Sequence, residues 1–209
     1  MSADPHLLAT WTRGWALTRG APAPVLDAGA WRVDVGQPEQ IARYVYAEAV
    51  EAVRDRAMRI REPHIFLKVC ADAETVRPLL DARWVVQPPG FVMTLAGSMG
   101  PADVAPDGYR LEIESGPTVF VRLVAPDGEE AARGLAVVVD GRIIFDRIIT
   151  APEHQRRGLG SRVMRALEAI GRERGGRDGV LVATEAGRAL YERLGWRLHS
   201  PYTTAVIPG

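Results

Sequence analysis

A chain of 209 residues with 47% hydrophobic and 25% charged side chains has an ordinary globular composition, long enough for one large domain or two small ones, and is neither disordered nor fibrous. Its 26 basic and 26 acidic side chains cancel to a formal net charge of zero. No global field therefore draws in nucleic acid or an anionic membrane, and any anion site must be local.

The start, Met1-Ser2-Ala3-Asp4-Pro5-His6, has no basic segment ahead of an apolar one, and no apolar run approaches the length that spans a bilayer. A cytoplasmic protein with neither nucleic-acid nor membrane partners is expected. Residues 3–19 place Leu7, Leu8, Trp11, Trp15 and Leu17 on one helical face, ending at Gly20 and the loop Ala21-Pro22-Ala23-Pro24. Residues 30–35 alternate as a half-buried strand. After Pro38, the Ala-, Glu- and Arg-rich stretch Ile41 to Ile60 reads as one long helix. A strand over Ile65 to Cys70, a short helix over Glu74 to Ala82 and two strand segments around Pro88-Pro89-Gly90, ending at Leu95, follow. Gly97 to Asp107 reads as a linker.

Cys70 is the single cysteine, so no intramolecular disulfide forms, and its place at the end of an apolar run points to a buried structural thiol. His6, His64, His154 and His199 are scattered without ligand spacing, and no metal is expected.

Beyond the linker, Tyr109 to Glu114 alternates, Thr118 to Val124 is apolar, and Asp127-Gly128 and Asp140-Gly141 mark turns. Tyr109 to Thr150 is thus a four-stranded meander. It runs into Gln155-Arg156-Arg157-Gly158-Leu159-Gly160-Ser161, and then into a helix from Leu159 to Arg174 whose Leu159, Val163, Leu167 and Ile170 share a face. Two glycines and two arginines at a strand-to-helix junction make a polyanion cradle, because the first helical amides are unpaired and the glycines let a phosphate approach them. Arg156 and Arg157 add mobile cationic heads. Downstream come the strand Gly179 to Thr184 and the helix ending Ala189-Leu190-Tyr191-Glu192-Arg193-Leu194-Gly195-Trp196.

These three spaced motifs resemble the GNAT superfamily of acyl-CoA-dependent N-acyltransferases, whose phosphate loop reads Q/R-x-x-G-x-G/A and whose next helix ends L-Y-x-x-x-G-F/W. The resemblance implies an α/β fold, layered α+β, in which a mixed, mostly antiparallel central sheet is flanked by helices. It implies acetyl-CoA as co-substrate, with the backbone of Ile148, Ile149 and Thr150 pairing with the pantetheine arm. The amides of Arg156, Arg157, Gly158, Leu159, Gly160 and Ser161 would hold the pyrophosphate, with Gln155 shaping the loop. Tyr191 matches the family's general acid. Asp146 is the candidate base, placed by strand alternation on the same face as Ile148 and Thr150, with Glu112 or Glu114 as substitutes. The acceptor would be a small-molecule or protein amine, and monomer and homodimer are both open. A catalytically silent acyl-CoA-binding sensor or structural module is the alternative.

Two departures from the family pattern stand out. Glu114 to Val119 leaves no room for the two helices that normally wall the acceptor cleft, so the N-terminal half would have to supply that wall. Thr184 stands where asparagine is common. The N-terminal half also echoes the C-terminal one: Pro38-Glu39 aligns with Pro152-Glu153, and the same spacing lays Ile65-Phe66-Leu67 on Gly179-Val180-Leu181. A degenerate GNAT-like region over 1–97, a linker over 98–108 and an acyl-CoA-binding core over 109–209 follow. In that alignment Tyr44 and Tyr46 replace Gly158 and Gly160, and after a two-residue slip that lays Trp84 on Trp196, Leu79 replaces Tyr191, so the N-terminal half is expected to bind no coenzyme.

Overall fold

The computed structural model describes residues 2–100 and 108–209, so the expected linker lies largely outside the described residues. The chain divides into two compact units, one of Met1–Met93, Val182–Arg188 and Leu198–Gly209 and the other of Thr94–Leu181 and Ala189–Arg197.

The first unit opens with α1 (Pro5–Thr18), which has Pro at its first position and the Asp4 carboxylate accepting from the His6 amide. Next come β1 (Val25–Asp27), β2 (Ala30–Gln37), β3 (Gln40–Tyr46), α2 (Glu51–Arg59), β4 (Ile65–Val69), α3 (Ala73–Val76), β5 (Val85–Val86) and β6 (Gly90–Ala96). With β12 (Arg197–Val206), the strands lie in the order β1-β2-β3-β4-β12-β6, and β5 pairs with β12. The β1–β2 hairpin, which carries no clear sequence signal, turns on Ala28 and Gly29, both left-handed.

The helix expected over Ile41 to Ile60 is a correction. Its first third is β3, and only Glu51–Arg59 is helical. Ala42 to Tyr46 are all buried, so the strand packs on both faces and shows no period-2 alternation. Tyr44-Val45-Tyr46, good strand formers, are masked by their Ala/Glu/Arg-rich flank. Tyr44 and Tyr46 therefore do not stand at a helix N-terminus. They face the core that α2 and α3 cover, with Leu67, Val69, Val53, Ala57 and Trp84.

The opposite face of this sheet meets α1. Trp11 stands edge-on to Tyr202 at 5.7 Å, and the Arg43 guanidinium lies 3.4 Å from the centre of the Trp15 ring. Cys70 is a free buried thiol, as its apolar run implied. Burial pushes its pKa from 9.0 up to about 12, partly offset by Ser200. The folded state holds this proton more tightly than the unfolded one, so the stabilising contribution is complete below pH 9.0 and declines as pH rises toward 12. The unfolding free energy of the wild type relative to Cys70→Ala is expected to fall by about 1.4 kcal/mol between about pH 8 and about pH 10, measured by urea denaturation at each pH.

The second unit contains β7 (Arg110–Ser115), β8 (Val119–Val124), β9 (Glu130–Val139), β10 (Arg142–Thr150), α4 (Leu159–Glu173) and the start of β11 (Asp178–Thr184). It also takes in the second half of α5 (Glu185–Arg193) and the residues that follow it to Arg197. Its strand order is β11-β10-β9-β8-β7. The expected meander is present: β7 to β10 pair consecutively and antiparallel, and β10 pairs with β11 in parallel. Asp140 and Gly141, both left-handed, make the tight β9–β10 turn. The α4 helix buries Leu159, Val163, Met164 and Leu167 against the sheet. Its approach is close because Gly171 carries no side chain; a Cβ there would lie 2.7 Å from Ile143 Cδ1.

Candidate active site

Strand β10 does not run evenly. Its pairing with β9 shifts between Asp146 and Ile149, and Arg147 sits in the left-handed region at φ 53°, which defines a bulge. The packing shows the extra residue directly. Ile143 would touch a Cβ at Gly171 on α4, while Ile148 would touch one at Gly134 together with Val163 and Leu167 of the same helix. Two residues an odd number apart on a regular strand face opposite ways, so the shared face requires one insertion between them. Asp146 precedes the insertion and lies on the opposite face from Ile143. The expectation that Asp146 shares a face with Ile148 and Thr150 is therefore corrected. Two successive polar residues, Asp146-Arg147, inside the apolar run Ile143 to Ile149 are the trace of the bulge that the sequence already carried.

The bulge accompanies a parting of strands. Parallel pairing of β10 with β11 covers only Arg142, Ile144 and the residue between them, against Asp178 to Val180. Among the described residues β10 makes no pairing with β11 beyond Ile144, so the backbone of Ile148, Ile149 and Thr150 is unpaired with that strand. The parallel pair of β3 with β4, by contrast, is paired through all of Ala42 to Tyr46.

The open edge leads into the glycine loop. Gln155 donates from Nε2 to the Thr150 carbonyl at 3.4 Å, in keeping with a loop-shaping role. Gly158 is the N-cap of α4 at φ 76°, a left-handed conformation that glycine adopts without strain, and no side chain caps the helix. The first backbone bond back into the loop is from the Arg162 amide to the Gly158 carbonyl. The amides of Leu159, Gly160 and Ser161 thus have no acceptor within the helix, and no acidic side chain occupies the first turn. Gly160 is held between β10 and α5; a Cβ there would lie 3.1 Å from Leu190 Cδ2 and 3.4 Å from Thr150 Oγ1.

The two arginines differ, and this corrects the expectation of two mobile heads. Arg156 is exposed and adopts φ 62°. Arg157 is tied down: its Nη1 donates to the Tyr109 hydroxyl at 2.8 Å and its Nη2 to the Glu153 carbonyl at 3.2 Å. Tyr109 in turn meets His154 Nδ1 at 2.9 Å, its ring edge-on to the imidazole. In the sequence Tyr109 reads as the start of a strand and His154 as a stray histidine. Residues so far apart in the chain give no local signal of this latch.

Tyr191 is buried on α5 beside Trp196, 6.1 Å between ring centres, and Trp196 stands edge-on to Phe145 of β10 at 5.3 Å. Burial first, and the Asp146 carboxylate second, raise the Tyr191 pKa to about 12. The hydroxyl therefore keeps its proton throughout the neutral range. Glu112, a substitute candidate for base, is held by Arg110 and Arg122, each at 2.7 Å, which keeps its carboxyl below the usual range. Glu114 is exposed on the same strand. Thr184 accepts the Gly187 amide at 3.2 Å, a helix-capping bond that an asparagine could also make.

A cavity of about 480 Å³ beside α4, lined by Arg162, Arg165, Glu168 and Arg172 together with Ser98, Gly100 and Leu111, does not include the loop. Among the described residues no group of three or more His, Cys, Asp or Glu could hold a metal, and no helix is long and apolar enough to cross a membrane.

Residues 112–198 match the family model described as an acetyltransferase (GNAT) domain. Among solved structures, the chain is similar to a GCN5-related N-acetyltransferase from Kribbella flavida, with 13% identity and TM-score 0.68 over 97% of this chain and 96% of that one. It is similar to a GCN5-related N-acetyltransferase from Sphaerobacter thermophilus, with 12% identity and TM-score 0.59 over 100% and 95%. A tandem GNAT protein from the clavulanic acid biosynthesis pathway aligns with 13% identity and TM-score 0.57 over 80% and 75%. At these identities the likeness is one of fold. No curated protein sequence matches this chain.

Proposed function

We propose, from the premise that residues 112–198 are a GNAT acetyltransferase domain, that this protein transfers an acetyl group from acetyl-CoA to the primary amine of a small molecule or protein. One observation carries the reading: a strand edge that parts from its neighbour runs straight into an uncapped helix N-terminus. Such an edge can pair with the amide groups of a pantetheine arm as an added strand would, and the free amides suit a pyrophosphate. Ile148, Ile149 and Thr150 serve the first role. The loop from Gln155 to Ser161 serves the second, with Arg156 as its mobile cation and Arg157 as a fixed one.

The reaction asks for a neutral amine to attack the thioester carbonyl in a ternary complex, for a proton to leave the nitrogen, and for the thiolate to depart. Tyr191 is the acid. With a pKa of about 12 it acts mainly by hydrogen bonding to the sulfur as charge develops there. Asp146, or a water that it orders, takes the amine proton.

The first unit is proposed as a degenerate copy of the same design, because its β2–β3 hairpin, α2 and parallel β4 repeat the β9–β10 hairpin, α4 and parallel β11. It binds no coenzyme, for a reason other than bulky tyrosines. Its parallel strands are paired along their length, and the β3–α2 connection, Ala47 to Val50, contains no glycine.

Calorimetric titration of acetyl-CoA, followed by a thiol-release assay over a panel of amines, tests the proposal. Binding with amine-dependent thiol release is the expected result. Binding without release for any amine would leave the silent sensor, and no binding of acetyl-CoA, longer acyl-CoAs or free CoA would overturn the reading.

A further inference from the structure

Two adjacent arginines stand exposed on the glycine loop, and an exposed arginine gives up rotamer freedom when it comes to rest against an anion. Arg157 has already given it up. Its Nη1 donates to the Tyr109 hydroxyl at 2.8 Å and its Nη2 to the Glu153 carbonyl at 3.2 Å. Both acceptors are uncharged, so two of the five guanidinium donors fix the group while its charge stays unneutralised by them.

The hydroxyl that holds Arg157 is itself held from two directions. Tyr109 directly precedes β7, and the pairing of Arg110 with Val124, Val124 with Glu130 and Ala132 with Thr150 puts the start of β7 at the same end of the sheet as the end of β10. His154 approaches from the other side. It closes the turn Pro152–His154, where its amide donates to the Ala151 carbonyl at 2.9 Å, and its Nδ1 lies 2.9 Å from the Tyr109 oxygen. Arginine can only donate, so the hydroxyl accepts from Arg157 and gives its own proton to His154 Nδ1. That assignment requires the neutral imidazole tautomer with its hydrogen on Nε2. The bonds run one way, from Arg157 through Tyr109 to His154.

We infer that Tyr109 and His154 are positioning residues for the coenzyme, which fix the Arg157 guanidinium beside the phosphate loop before any ligand arrives. The inference rests on the function proposed above, since the anion that Arg157 meets is the pyrophosphate of acetyl-CoA. Tyr109 supplies the oxygen that Arg157 leans on. His154 turns that oxygen's lone pair toward the guanidinium by taking the hydroxyl proton. Neither residue touches the ligand, so each acts only through Arg157.

A double-mutant cycle read by calorimetric titration of acetyl-CoA into the full-length protein tests this. Tyr109→Phe, which keeps the ring edge-on to the imidazole, is expected to raise the dissociation constant about five-fold, the scale of one arginine ordered on binding. Arg157→Ala is expected to raise it at least as much, and adding Tyr109→Phe to Arg157→Ala to raise it no further. His154 provides a second arm. His154→Leu is expected to weaken binding as Tyr109→Phe does, and His154→Asn, which offers an acceptor oxygen on the carbon that carries Nδ1, to restore it. Wild-type affinity in Tyr109→Phe, an equal loss from Tyr109→Phe with and without Arg157, or a loss in His154→Asn equal to that in His154→Leu would overturn the inference and leave the proposed function standing. Absence of acetyl-CoA binding by the wild type would overturn both.

Discussion

Ser161→Asp is expected to weaken acetyl-CoA binding about 100-fold, close to 3 kcal/mol, while leaving the folded protein as stable as the wild type or slightly more so. The two effects have opposite signs for one physical reason. Ser161 is the third residue of α4, where the helix has unpaired amides, no capping side chain and no acidic residue in its first turn. A carboxylate there satisfies the amides and the helix dipole, worth about 0.3–1 kcal/mol to the fold. The same carboxylate occupies the place proposed for the pyrophosphate and repels it. Calorimetry gives the affinity and thermal melting the stability. A variant that loses stability together with affinity would point to general damage, and one that binds as well as wild type would remove the coenzyme from this loop.

Tyr191→Phe is expected to lower kcat about 100-fold, at the low end of what a positioned proton donor contributes, with the acetyl-CoA dissociation constant unchanged. The pKa of about 12 sharpens the expectation. An ordinary thiol titrates near about 8.5, so full proton transfer from this phenol to a departing thiolate runs uphill by about 5 kcal/mol. The hydroxyl therefore contributes a hydrogen bond to the transition state and does not set the pH profile: activity should show no alkaline fall below about pH 10 that the phenylalanine variant removes. Wild-type kcat in the Tyr191→Phe variant would make Tyr191 a core residue packed on Trp196. Phenylalanine retains that ring contact, so the substitution tests the hydroxyl alone.

Much of this site was legible because its signals are local. Gln155, Gly158 and Gly160 at a strand-to-helix junction announced an uncapped N-terminus, and Asp140-Gly141 announced the hairpin that feeds it. What escaped had non-local causes. The latch of Tyr109, His154 and Arg157 joins residues that no periodicity connects. The extent of β10–β11 pairing depends on how two distant strands diverge. The misread β3 had a different origin: burial on both faces erases the alternation by which a strand is recognised. The face of Asp146 lay between these cases, since Asp146-Arg147 marked the irregularity but only the contacts of Ile143 and Ile148 with α4 revealed its consequence.

The parting of β10 from β11 also bears on heat tolerance. A row of backbone donors and acceptors that the chain does not pair for itself is stabilised by whatever molecule lines up along it, and that molecule has nothing to grip once the strand unravels. Occupancy then shifts the folding equilibrium by RT ln(1 + [L]/Kd), about 2.7 kcal/mol at a hundredfold excess over Kd. The melting temperature of this protein becomes a gauge of how full the seam is, and a thermal-shift screen of thioesters can rank ligands before any acceptor amine has been found.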